Sequence, residues 1–195
     1  MAVFVTVGTT LFEELIEVVD TKKFHAALFN LGYKKLFIQY GNGNIVPSVS
    51  DSPLEIDAFR YKANLSSIFS ESSLVISHGG AGTCMEALQP PGKRKLIVVI
   101  NENLMNNHQV ELASTLYEEK HAFLSRVKDL YAFISTGEQY PFMDCLRTRF
   151  WRDCDHKALL GPSTSPQSVG LVPFHRGNAS NLINFLNNLM GIPAS

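Results

Sequence analysis

The residue types best suited to chemistry in this chain fall in one stretch, Ser77-His78-Gly79-Gly80-Ala81-Gly82-Thr83. It lies between a strand-like run, Leu74-Val75-Ile76, and a helix-like one, Thr83 to Leu88. Glycines let backbone approach a bulky anion, and the N–H groups of a helix start add a positive dipole end, so a diphosphate is the natural guest. Glu86 follows Thr83 by one helical turn, where a carboxylate can accept both hydrogen bonds of a vicinal diol such as a ribose. Taken alone, the glycines are better read as serving a tight strand-to-helix turn, since such loops are common in α/β proteins. They are not the NAD fingerprint, because neither this loop nor Gly8-Thr9-Thr10 supplies G-x-G-x-x-G. Gly92-Lys93-Arg94 lacks the Ser or Thr that a P-loop needs after its lysine.

Two further stretches leave strand-like runs with polar residues. Asn101-Glu102-Asn103-Leu104-Met105-Asn106-Asn107-His108-Gln109 follows the run Leu96 to Ile100 and opens a helix. Amides and an imidazole crowded there suit a polyhydroxylated ligand; a capped, solvated helix start is the competing reading. Gly8-Thr9-Thr10 follows the first run, and its hydroxyls and N–H groups reach a phosphate or simply cap a helix. Cys145, Cys154 and His156 offer only three candidate metal ligands and no C-x-x-C pair, so no metal site is expected. His25, His121 and His175 show no partners and read as surface or partly buried structural residues; Trp151 reads as packing.

The elements that must position these stretches alternate. Val3 to Val7 is a continuous apolar run ending at Gly8, as in a buried parallel strand. A helix over Thr10 to Val19 places Phe12, Leu15, Ile16 and Val19 on one face, and Thr10 with Glu13 has capping-box spacing. A helix with Phe24, Leu28 and Leu31 stops at Gly32, and Leu36 to Ile38 leads into the turn Gly41-Asn42-Gly43-Asn44. A weaker strand near Leu54 to Phe59, a short helix with Leu65, Ile68 and Phe69 inward, and the runs already named repeat the pattern. A helix over Asn106 to Tyr117 follows, and Ala122 to Leu124 closes the sheet.

This alternation predicts an α/β fold: an open, mostly parallel Rossmann-like sheet with helices on both faces, spanning residues 1–126. Residues 127–176 form an irregular, partly helical extension containing the loop-like Gly161-Pro162-Ser163-Thr164-Ser165-Pro166. Residues 177–192 form a carboxyl-terminal amphipathic helix with Leu182, Ile183, Leu186, Leu189 and Met190 on its apolar side. That helix either covers the sheet or meets another protein.

Composition narrows the field. A chain of 195 residues that is 45% hydrophobic buries one sizeable core. A net charge of −1 with 18% charged residues gives no field to draw nucleic acid, and the basic clusters Lys22-Lys23, Lys34-Lys35 and Lys93-Arg94-Lys95 read as solvated faces. No apolar run is long enough for a signal peptide or a bilayer span, so the expectation is a chain soluble by itself. Three cysteines fit a reducing compartment.

The run His78-Gly79-Gly80-Ala81-Gly82-Thr83-Cys84-Met85-Glu86-Ala87 resembles the donor signature of GT-B glycosyltransferases that use UDP-sugars. The start Val3 to Thr10 and the Asn101 to Gln109 stretch narrow the likeness. Over roughly residues 3–125 the chain is similar to the small cytosolic subunits of the eukaryotic two-subunit UDP-N-acetylglucosamine transferase of the dolichol pathway. The resemblance implies half an enzyme. This chain would bind the UDP-GlcNAc donor, while a membrane-anchored partner subunit holds the dolichyl diphosphate GlcNAc acceptor at the cytosolic face of the endoplasmic reticulum. It further implies that Glu86 grips the ribose. Gly79, Gly80, Gly82 and Thr83 meet the diphosphate with His78 and Thr10 nearby, and His108 and Gln109 contact the sugar. It implies an inverting displacement without cofactor, and a partner-docking role for the terminal helix. Gln89 to Arg94 is longer than the family's turn, and residues 128–172 match no part of the pattern. A non-catalytic nucleotide-sugar-binding or scaffold module is the alternative function.

Overall fold

A computed structural model of the chain describes residues 1–48, 51–101, 107–137 and 159–174. Six strands form one parallel sheet: β1 (Ala2–Thr6), β2 (Lys35–Gln39), β3 (Glu55–Phe59), β4 (Ser72–Ser77), β5 (Lys95–Ile100) and β6 (Phe123–Arg126). Their order is β3-β2-β1-β4-β5-β6, with Val3 beside Leu36 on one side and Leu74 on the other. Central parallel strands are covered on both faces and must be mostly apolar, and every residue of β1 and β5 is buried, the polar Thr6 and Lys95 included. The edge strand β3 is only partly covered, which is why its sequence alternates weakly.

The helices are α1 (Glu13–Val19), α2 (Lys22–Asn30), α3 (Ser66–Glu71), α4 (Ala81–Ala87), α5 (Asn107–Glu118) and α6 (Val127–Thr136). Right-handed crossovers put α1 and α2 on one face and α3, α4 and α5 on the other. The expected sheet with helices on both faces is thus present. α6 follows β6 without a break and packs on α1 and α2, burying Leu130, Phe133 and Ile134 before Gly137 ends it with a left-handed cap. No helix among the described residues is long and apolar enough to cross a membrane.

Three local expectations need correction. The cap of α1 is Phe12, without a side-chain hydrogen bond, so Thr10 and Glu13 form no capping box. The Glu13 carboxylate instead accepts the Asn44 N–H at 2.7 Å. Arg94 and Lys95 are not solvated: they are 6% and 1% exposed, and only Lys93 of that cluster faces water. Arg94 donates to the carbonyls of Phe69, Ala87 and Gln89, joining the ends of α3 and α4. Lys95 donates to the Gly161 carbonyl at 2.7 Å. His25 is also inside the fold, 2% exposed, and burial lowers its pKa.

The segment 159–174 returns across the fold. Leu159, Leu160, Val169 and Leu171 are buried, and the Leu160 carbonyl accepts the Tyr33 hydroxyl at 2.7 Å. His121, expected to lack a partner, has its Nδ1 2.9 Å from the Val172 carbonyl and its ring edge-on to Phe174. The helix expected over 177–192, with Leu182, Ile183, Leu186, Leu189 and Met190, lies outside the described residues, as do His175, Trp151, Cys145, Cys154 and His156.

Candidate functional site

From β1 the chain runs outward to β2, and after β4 it runs the other way to β5. The carboxyl ends of β1 and β4 therefore flank the crevice where open α/β sheets bind ligands. Gly8 leaves β1 at φ +58°, a conformation that favours glycine. Its N–H donates at 3.1 Å to the Thr6 hydroxyl, which donates at 2.6 Å to the buried Gln39 amide oxygen. The start of the first loop is thereby stapled to β2. On the other wall, Gly79 turns at φ +84° and its N–H donates at 3.3 Å to the Ser77 hydroxyl.

His78 stands between the walls, 6% exposed. Its backbone N–H donates at 3.2 Å to the Thr6 carbonyl, and its Nδ1 lies 3.3 Å from the same oxygen. A carbonyl only accepts, so Nδ1 carries the proton and Nε2 is the bare nitrogen. The ring rests against both glycine turns: a Cβ on Gly8 would stand 2.8 Å from Cε1, and one on Gly80 would stand 2.6 Å from Nε2. Burial lowers the pKa of His78, and its contact with the Thr6 carbonyl opposes the shift.

α4 begins at Ala81, two residues before the expected Thr83, because Gly80 supplies its cap. No side chain caps it, so the first-turn N–H groups of Ala81, Gly82 and Thr83 gain no capping partner. Gly82 is exposed, and a Cβ there would meet nothing within 4 Å. The fold does not need that glycine. Gly82→Ala is accordingly expected to stabilise the chain by about 0.5–1 kcal/mol through helix propensity. Gly80→Ala is expected to cost about 1–3 kcal/mol by displacing the His78 ring, and to lose that cost in a His78→Ala background. Urea denaturation of the four variants checks both.

Glu86 is exposed on the last turn of α4, close enough to Arg94 to oppose the burial that lowers the guanidinium's pKa. Thr9 is exposed and Thr10 half-buried beside Gly8. β5 pairs with β4, so its end opens on the same edge. Asn101 there is buried, Asn107 and His108 begin α5, and Gln109 is half-buried. Residues 102–106 lie outside the described residues. The three polar stretches thus leave adjacent strands at one edge. Sequence reasoning missed the Thr6–Gln39 staple, the Ser77 hydroxyl and Arg60, whose guanidinium donates to the carbonyls of Gly41 and Gly43. In the sequence, Ser77 stands out only as the first residue of the loop, and Thr6 only as a member of the run Val3 to Val7.

The profile of the glycosyltransferase family 28 C-terminal domain matches residues 2–132. A human protein named UDP-N-acetylglucosamine transferase subunit ALG13 is 48% identical over 122 residues, 62% of this chain and 11% of that protein. The mouse protein of the same name is 47% identical over 62% of this chain and 10% of its own length. A Yarrowia lipolytica protein with that name is 38% identical over 69% of both chains. The chain therefore spans about a tenth of the two mammalian relatives. Among solved structures, Acinetobacter baumannii MurG superposes with a TM-score of 0.53 at 20% identity, over 69% of this chain and 39% of that one. An NMR structure of ALG13 gives 0.51 at 24% identity, over 68% and 84%. These two likenesses bear on the fold.

Proposed function

The chain belongs to the glycosyltransferase family 28 C-terminal domain family, and from that premise we propose that it binds the UDP-GlcNAc donor of a two-subunit transferase. The partner is a membrane-anchored subunit that presents dolichyl diphosphate GlcNAc at the cytosolic face of the endoplasmic reticulum. The observation that carries the reading is the crevice at the β1–β4 reversal, where two glycine turns and an uncapped helix start surround one histidine. The relatives' shared name, which speaks of a UDP-N-acetylglucosamine transferase and of a subunit, supports both the donor and the need for a partner.

In this reading the diphosphate lies across Gly79, Gly80, Gly82 and Thr83, with Gly8, Thr9 and Thr10 opposite and His78 beneath. Gly82 has open space where the diphosphate would approach. Glu86 holds the ribose hydroxyls, and Asn107, His108 and Gln109 meet the sugar. The acceptor's 4-hydroxyl oxygen attacks C1 from the face opposite UDP. The bond from C1 to the phosphate oxygen breaks, UDP leaves with its electron pair, and the hydroxyl proton passes to a base. The helix start and loop N–H groups meet charge that grows on the departing diphosphate, which is when such donors accelerate a reaction. No side chain of the crevice is assigned as that base. The terminal helix over 177–192 is proposed to dock the partner.

The test is transfer of labelled GlcNAc to a dolichyl diphosphate GlcNAc analogue by this chain, by the membrane subunit and by both. Activity is expected only in the mixture, and Glu86→Ala is expected to lower kcat/KM at least about tenfold per ribose hydrogen bond lost. A complex that forms but transfers nothing would favour a non-catalytic binding module.

A further inference from the structure

The loops that leave β1, β2 and β3 are tied into a single bracket beside the crevice. Arg60, the first residue after β3, donates through one terminal nitrogen to the Gly41 carbonyl at 3.2 Å and the Gly43 carbonyl at 3.1 Å. Its guanidinium also lies 5.2 Å from the centre of the Tyr40 ring. The turn thus closed bears on the β1 loop at several points. Gly41, at φ +58°, packs so tightly that a Cβ there would stand 2.8 Å from the Gly8 carbonyl and 3.2 Å from that of Thr10. The Asn42 side chain donates to the Thr9 carbonyl at 3.2 Å, and the Asn44 N–H donates to the Glu13 carboxylate at 2.7 Å.

We propose that Arg60 is a positioning residue for the donor site. It rigidifies the turn Gly41 to Asn44, and the turn holds Gly8, Thr9 and Thr10 in place to meet the diphosphate. This rests on the donor reading given above. The physical need is plain: a Gly-Thr-Thr loop ordered only on binding would spend binding energy on that ordering. The turn's contacts are to the loop's carbonyls, so they orient the peptide planes without using the Thr9 N–H or the Thr9 and Thr10 hydroxyls, while the Gly8 and Thr10 N–H groups bond within the loop to the Thr6 hydroxyl and the Val7 carbonyl. The two N–H groups of one planar guanidinium nitrogen diverge at a fixed angle, which suits two carbonyls at fixed spacing better than a freely rotating ammonium does.

NMR titration of the full chain with UDP and with uridine separates positioning from mere support. Arg60→Met keeps length and removes the donors. It is expected to weaken UDP about tenfold while leaving uridine, which lacks the diphosphate, unchanged, and Arg60→Lys is expected to recover part of the loss. Asn42→Ala, at an exposed side chain, releases only the Thr9 carbonyl and is expected to shift UDP in the same direction if Arg60→Met does not fold. Equal UDP affinity in native chain and variants, or parallel loss of UDP and uridine, would overturn the positioning role and leave the donor reading standing. A native chain that binds neither ligand would overturn both.

Discussion

Wild-type chain is expected to gain about 3 kcal/mol of unfolding free energy relative to Lys95→Met as pH rises from 7.5 to 10.5. Lys95 opens β5 with 1% exposure, and its ammonium donates to the Gly161 carbonyl. Burial lowers its pKa from the ordinary 10.5 to about 8. Below about 8 the folded chain must keep a charge in apolar surroundings. Between about 8 and 10.5 the unfolded chain still holds the proton that the folded chain has released, so stability rises with pH, by about 1.4 kcal/mol per unit. The wild-type curve alone will not show this cleanly. Burial pushes the Cys84 thiol up to about 12 and raises the Tyr33 phenol as well, and both make folding less favourable as pH climbs above their ordinary values. Methionine has a similar length and no charge, so subtracting its curve isolates Lys95. The variant also leaves the Gly161 carbonyl without its donor, a constant offset of about 1–3 kcal/mol that pH does not move. Urea denaturation across the range measures the difference; a flat one would mean that the ammonium is stabilised where it sits.

That lysine shows where sequence reading stopped. The strands β1, β4 and β5 are legible because burial on both faces demands apolar runs, and Val3 to Val5, Leu74 to Ile76 and Leu96 to Ile100 supply them. Charge next to such a run reads as solvent-facing. What reverses that reading for Arg94 and Lys95 is a set of carbonyls, of which Phe69 and Gly161 lie 25 and 66 residues away. Distance also hid Arg60, whose acceptors lie 19 and 17 residues back in the chain. The capping-box spacing of Thr10 and Glu13 was a local signal outcompeted by a tertiary one, the Asn44 N–H. α6 was legible and was passed over: Val127, Leu130, Tyr131 and Ile134 have the spacing of one helical face. The glycine turns were found, but not what they enclose. A sequence shows that glycine is present at 8 and 80, whereas only the fold shows that one imidazole fills the space a side chain would need at either.

In the proposed donor site, that imidazole is expected to make binding of the diphosphate a proton-linked event. In the free chain burial holds the pKa of His78 below 6.5, and Nδ1, facing the Thr6 carbonyl, keeps the ring's one proton. Nε2 then presents a lone pair toward the two glycine turns, which is the wrong polarity for a phosphate oxygen. A diphosphate seated there raises the histidine's pKa, as any adjacent anion does, and draws a proton onto Nε2 that converts it into a donor. Affinity must therefore rise on acidification between the bound and free pKa values, by up to about tenfold per pH unit. UDP-GlcNAc is the ligand to use, because esterification of its terminal phosphate removes the ionisation near pH 6 that free phosphate monoesters show. Titrations at pH 8, 7 and 6 are expected to show progressive tightening, with proton uptake visible as a heat that depends on the buffer. His78→Gln offers an amide in place of the imidazole and nothing to titrate, so it should bind with little pH dependence across the range. A wild-type affinity that stays level from pH 8 to 6 would mean that the diphosphate does not approach Nε2.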